Sequence, residues 1–198
     1  MPVLKILTYP DERLRQVSSP VQQFDAAFQR RVDDLEETRL AGPGAVGIAA
    51  PQVGWFERVV IVDVSGRRKT RSHGHLILVN PEITEWDGYA VGREGCLSVP
   101  DYTGNVIRAE KIHLQALDRE GNALSFDMDG FEARAVQHEM DHIDGLLFLD
   151  RLVSRRQDLF QRKVYKSTLL RGWPKLLFLL IFIRAGAFLG EGLLHLGP

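Results

Sequence analysis

Phe131-Glu132-Ala133-Arg134-Ala135-Val136-Gln137-His138-Glu139-Met140-Asp141-His142-Ile143 is the stretch on which the reading of this chain turns. No Gly or Pro interrupts it, and Ala, Glu, Arg, Gln and Met favour helix. Asp144-Gly145 is expected to end that helix. Inside it, His138-Glu139-Met140-Asp141-His142 is an H-E-x-x-H. Residues four apart share one helix face, so both imidazoles can aim at a single metal ion. Glu139 then sits beside the metal, where it can exchange protons with water without being a ligand. With 6 His and 12 Glu in 198 residues, chance supplies roughly 0.01 such motifs. Two incidental surface histidines are therefore a weak explanation.

A catalytic metal needs three protein ligands and an open position. Zinc peptidases with this motif often take the third ligand downstream, but the next histidine here is His195, poorly placed in an apolar tail. Cys96, in Glu94-Gly95-Cys96-Leu97-Ser98-Val99-Pro100, is the better candidate. A thiolate is a strong ligand for Fe(II), Zn(II) or Ni(II). A lone cysteine is more often a buried structural thiol, yet Glu94 and Gly95 argue against a plain core strand. Upstream lies Gly44-Ala45-Val46-Gly47-Ile48-Ala49-Ala50-Pro51-Gln52-Val53-Gly54, whose small residues permit close approach of backbone or ligand. It lacks the phosphate-loop Lys-Ser/Thr and does not follow a strand in the dinucleotide pattern. Tight packing and a substrate-lining loop are both open for it. Gln52 is its one side chain able to hydrogen-bond a carbonyl oxygen.

Around these motifs the pattern is α+β. Phe24, Phe28, Val32 and Leu35 recur at helical spacing between Val21 and Leu40, and Gly42-Pro43 stops that segment. Strand-like runs follow at Arg58–Val64, Leu76–Asn80 and Lys111–Leu117. Asp118-Arg119-Glu120-Gly121-Asn122 is a turn leading into Ala123–Met128, so a hairpin is expected. Phe131, Ala135, His138 and His142 form one stripe of the late helix, an apolar wall beside the two imidazoles. Asp141 is expected to steady a ligand or the helix end. His73 and His75, in a basic loop, and His113, on a strand's polar face, are expected to be solvated.

Lys+Arg number 25 against Asp+Glu 26, a net charge of −1, which makes no global case for nucleic-acid binding. One cysteine excludes an intramolecular disulfide framework and a multi-cysteine zinc ribbon. Charge appears too early in the N-terminal residues for a secretory hydrophobic region, so the expected location is the cytoplasm. After Arg151 the composition shifts: a basic run to Lys175, then an apolar run from Leu176 to Leu196. We expect a catalytic domain over residues 1–160 and a basic-then-apolar tail over 161–198. The tail is expected to bury against the domain or another subunit, or to touch a membrane.

Three ordered segments carry a family resemblance: Ala45-Val46-Gly47-Ile48-Ala49-Ala50-Pro51-Gln52, Glu94-Gly95-Cys96-Leu97-Ser98 and Gln137-His138-Glu139-Met140-Asp141-His142. Together they resemble the peptide deformylases, over about residues 4 to 152. Ala45 stands where the family usually has its first glycine, and the apolar tail departs from the usual family ending. The resemblance implies short, mostly antiparallel sheets packed around a central helix that carries H-E-x-x-H. It implies one divalent metal per chain held by Cys96, His138 and His142, with Fe(II) first and Zn(II) or Ni(II) as alternatives. It implies Glu139 as proton carrier and Gln52 with the Leu97 N–H as oxyanion donors. Val46, Gly47, Glu94, Phe131 and Ala135 are the expected substrate contacts. The implied substrates are formyl-methionyl nascent polypeptides, met near the ribosomal exit tunnel. An H-E-x-x-H peptidase, or a non-catalytic metal-binding module on the same fold, are the competing readings.

Overall fold

The computed structural model describes residues 2–162, and the apolar run Leu176–Leu196 with its expected contacts lies outside them. Helix α1 (Ala26–Ala41) begins where the Asp25 carboxylate accepts from the Ala27 and Phe28 N–H groups. Val21, expected inside this helix, lies before it. Its N–H and carbonyl are instead both held by the Asn80 side chain. Strands β1 (Gly47–Ala49), β2 (Val59–Asp63), β3 (His75–Asp87), β4 (Ala90–Cys96), β5 (Val99–Arg108), β6 (Lys111–Leu117) and β7 (Ala123–Asp129) follow. Helix α2 (Gly130–Ile143), a short α3 (Arg155–Asp158) and β8 (Leu159–Gln161) complete the described chain.

Two antiparallel sheets form, of order β1-β2-β3-β6-β7 and β4-β5-β8. The expected β6–β7 hairpin runs in unbroken register from Lys111 opposite Asp129 to Leu117 opposite Ala123. Alternation along the strands splits the five-stranded sheet into two faces, each with its own helix. Val60, Val62, Leu78, Leu114 and Met128 meet Ala133, Val136 and Ile143 of α2. On the other face Ile48, Val59, Ile61 and Val79 meet Phe28, Val32 and Leu35 of α1. A third cluster joins Cys96, Val99 and Val106 of the smaller sheet to Leu147, Phe148 and Leu149, the segment just after α2. Helix α2 is thus the central element, as expected. The β4–β5 hairpin, which no periodicity announced, delivers Cys96 to it.

His73 and His75 are exposed and His113 is partly exposed, as expected, and each has an acidic neighbour. His73 Nδ1 lies 2.7 Å from Glu132 Oε2, and Glu132 also accepts the His73 N–H, tying the basic loop to the first turn of α2. His75 Nε2 is 3.1 Å from Glu36, and His113 Nδ1 is 2.7 Å from Asp127.

Gly145 closes α2 with φ +72°, its N–H donating to the His142 carbonyl. A Cβ here would stand 2.5 Å from the Arg15 carbonyl oxygen, a backbone atom that cannot swing aside. Gly145→Ala is therefore expected to cost about 2–4 kcal/mol of unfolding free energy, measured as a shift in denaturant midpoint at constant slope.

Candidate metal centre and active site

Helix geometry places His138 and His142 one turn apart, with ring centroids 5.3 Å from each other. Cys96, the last residue of β4, brings its Sγ to 3.2 Å from His142 Nε2. One ligand atom from each of the three lies within 4.8 Å of the others, and all three residues are buried. Among the described residues the upstream cysteine completes the set. That arrangement is not the one a peptidase of the H-E-x-x-H type was expected to show.

Charge in this cluster is arranged by specific partners. Burial pushes the Cys96 thiol up, but His142 and His138 outweigh it and hold the thiol well below its usual value. Burial opposes charge on His138, yet Cys96 and Glu94 raise its pKa well above the usual value. A thiolate wedged between two imidazoles, with one imidazole backed by a carboxylate, is the donor set that a divalent ion satisfies. The residues present fit the metal.

Glu94 supplies that backing. Its Oε2 lies 2.8 Å from His138 Nδ1, and both oxygens accept from Arg108 at 3.0 and 2.9 Å. Arg134, one turn before His138, donates to Glu94 Oε1 at 2.8 Å. Burial pushes the Glu94 carboxyl up, but His138 and Arg108 overcome it and hold the carboxyl below the ordinary carboxylate range. Arg108 continues to Asp141 at 2.5 Å, and Arg151 grips the same carboxylate. Glu94, expected as a substrate contact, borders the cavity, and both its oxygens are held by these partners. Asp141 steadies the helix through arginines, as expected. Arg108 and Arg134 were missed in the sequence. The one available signal was Arg134, a charged residue at i−4 from His138 on an otherwise apolar stripe.

Glu139 has the opposite environment. Burial dominates and, against the pull of His138 and His142, pushes its carboxyl up to about 7. Its Oε2 has no hydrogen-bond partner among the described residues. Gly47 makes room for it: a Cβ there would come within 2.5 Å of Glu139 Oε1. Gln52 is locked by its own amide. Oε1 accepts from the Ala49 N–H at 2.9 Å, and Nε2 donates to Ser98 Oγ at 3.0 Å, 3.6 Å from Cys96 Sγ.

A cavity of about 710 Å³ opens over this floor. Val46, Gly47, Leu97, Phe131 and Ala135 line it beside Cys96, His138, Glu139 and Gln52. His142 lies behind, at the buried end of the ligand set. A second cavity, of about 780 Å³, runs along Gln137, Met140 and Asp141 on another side of α2 and holds no metal-ligating trio. Size does not decide between them; the convergent thiol, imidazoles and unpartnered carboxyl do.

The sequence model of the family described as polypeptide deformylase matches residues 3–158. The fold is similar to a peptide deformylase from Legionella pneumophila, at 41% identity and a TM-score of 0.71, over 76% of this chain and 86% of that one. It is similar to a Met-Ala-Ser-bound class I type b peptide deformylase from Acinetobacter baumannii, at 35% identity and a TM-score of 0.72, over 76% of this chain and 99% of that one. An actinonin complex of the enzyme from Ehrlichia chaffeensis matches at 35% identity and a TM-score of 0.73, over 79% and 92% of the two chains.

Glu94→Gln keeps the shape of the side chain but removes the charge that two buried arginines share. It is expected to lower stability by about 3 kcal/mol and metal affinity by about 10- to 100-fold. Chemical denaturation and competition with a chelator would check the two effects separately.

Proposed function

The chain belongs to the polypeptide deformylase family, and from that premise we propose how its residues divide the work. It is a metal-dependent hydrolase that removes the formyl group from N-terminal formyl-methionine of nascent polypeptides and releases formate. The observation that carries the assignment of roles is the convergence of Cys96, His138 and His142 within 4.8 Å beside Glu139 and Gln52. Cys96, His138 and His142 would hold one divalent ion, with Fe(II) suited to this thiolate–imidazole set and Zn(II) or Ni(II) as substitutes. When bound, such an ion lowers the pKa of water and polarises a carbonyl as a Lewis acid.

The protein supplies the rest. Glu139 accepts a proton from the attacking water and returns it to the leaving amine nitrogen. Its buried position beside the ligand set, with Oε2 unpartnered among the described residues, leaves it free for that two-way transfer. Negative charge develops on the formyl oxygen, and the Gln52 Nε2–H and Leu97 N–H are the donors set to meet it. Ala49 and Ser98 hold the Gln52 amide in place, and its second Nε2–H, now 3.6 Å from Cys96 Sγ, is the one to turn to the oxyanion. Val46, Phe131 and Ala135 form the apolar wall for the methionine side chain. Gly47 contributes by staying small, which lets Glu139 approach.

Residues 1–160 form the catalytic domain in this reading and 161–198 the tail, in keeping with a family match that ends at 158. The implied substrate supports a cytoplasmic location. The basic run from Arg151 to Lys175 supports contact with anionic ribosomal RNA. Among the described residues no helix is long and apolar enough to cross a membrane.

Formate release from formyl-Met-Ala-Ser by metal-replete protein tests the whole reading; absence of formate would overturn it. Cys96→Ala, His138→Ala and His142→Ala are each expected to lose metal and turnover together. Glu139→Gln should retain metal, by elemental analysis, while turnover falls at least about 100-fold. A peptide starting with formyl-Gly should lose about 1–3 kcal/mol of transition-state binding per missing methylene. Ala135→Leu should raise KM for the methionine peptide with metal content intact.

A further inference from the structure

Five arginines line the catalytic cavity, and they fall into two groups. Arg39 and Arg134 are matched by Glu36 and Glu94. Arg67, Arg93 and Arg162 have no carboxylate within salt-bridge distance among the described residues. Arg67 lies with its guanidinium 3.8 Å over the ring of Phe131, at the mouth of the methionine wall. Arg93 lies 3.5 Å over Phe160, with Nε on Asn105 and Nη1 on Thr103, all neutral partners. Arg162 crosses β4 at Gly95, where a Cβ would come 2.5 Å from its Nη2. Against them the rim offers one further carboxylate, Asp63, whose Oδ1 accepts from the Ser65 N–H and hydroxyl. Glu139 and Glu94 sit on the floor, Glu94 fully matched.

Resting on the deformylase reading, we infer that this outer rim selects substrates by charge, favouring acidic side chains soon after the N-terminal methionine. Gly95 and Arg93 share the exposed face of β4, an edge strand of its sheet. An extended peptide leaving the metal centre along this edge advances about 3.3 Å per residue. Its second to fourth residues therefore pass Gly95 and Arg93, with Arg67 on the opposite wall. Guanidiniums stacked on aromatic rings are held in place and weakly hydrated, so they meet a carboxylate at little ordering cost. Arg67, Arg93 and Arg162 are exposed and their charges screened, so the preference is graded and depends on salt.

The test compares kcat/KM for formyl-Met-Ala-Asp-Asp, formyl-Met-Ala-Asn-Asn and formyl-Met-Ala-Lys-Lys. At low salt the order Asp over Asn over Lys is expected, with about tenfold between the extremes. The difference should reside in KM, as for binding shared by ground and transition states. It should shrink toward parity at about 1 M salt. Arg67→Gln and Arg93→Gln should each narrow the Asp-to-Lys contrast by about 2- to 3-fold, an effect that a merely structural role would not produce. Parity at low salt, or a contrast unchanged in the double variant, would overturn the inference. The neutral peptide is the internal control: no formate from it overturns the deformylase reading. In that case binding of Met-Ala-Asp-Asp against Met-Ala-Lys-Lys, by calorimetry, still decides the charge preference.

Discussion

Two oxygens of Glu94 tie the strand that ends in Cys96 to the helix that carries His138 and His142. Arg108 of β5 and Arg134 of α2 both hold that carboxylate, and Arg108 extends the link to Asp141. Burying these charges has a desolvation cost that replacement by apolar residues would avoid, so stability alone does not explain them. What the network provides is position. Cys96 comes from a different sheet than the one α2 packs on, and apolar contacts are tolerant of small shifts that a metal centre is not. Directional charged hydrogen bonds remove that slack.

The same arrangement separates the roles of two carboxyls. Glu94 faces cations and stays ionised, whereas Glu139 is buried with one oxygen unpartnered and is pushed toward neutrality. One environment suits a permanent anion that orients an imidazole; the other suits a group that gains and loses a proton. Gly47 and Gln52 sharpen this division from the opposite wall. The first admits the Glu139 carboxyl by lacking a side chain, and the second presents an amide already fixed by Ala49. Short backbone segments thus complete a site whose charge comes from the helix and the smaller sheet.

Legibility in the sequence followed the strength of local signals. Helix α2 and the β6–β7 hairpin emerged nearly to the residue, because uninterrupted helix formers and strict alternation are local properties. The start of α1 was misplaced because Val21 is apolar and in phase with the helix, while its backbone is claimed by Asn80, a partner far along the chain. The β4–β5 hairpin went unread because Arg93, Glu94, Gly95 and Arg108 carry no apolar alternation. Their pairing is secured by buried ion pairs and by the cluster around Phe148. His73 and His75 are exposed as expected, but their partners Glu132 and Glu36 went unread because they lie on helices distant in sequence.

By itself the sequence singled out one thiol, two imidazoles, one carboxyl and one amide as candidates for a single site, and the fold brings those side chains together. These residue types occur at spacings that helix geometry and ordered motifs make readable. Only the tertiary structure decided what each group experiences there. It joined Glu94 to His138, left Glu139 Oε2 without a partner among the described residues, and set Gly47 where only a missing side chain admits that carboxyl. It also left three rim arginines at the cavity with no carboxylate in salt-bridge distance among the described residues. Burial, dielectric and the choice of hydrogen-bond partner arise from segments far apart in the chain, and no single stretch encodes them.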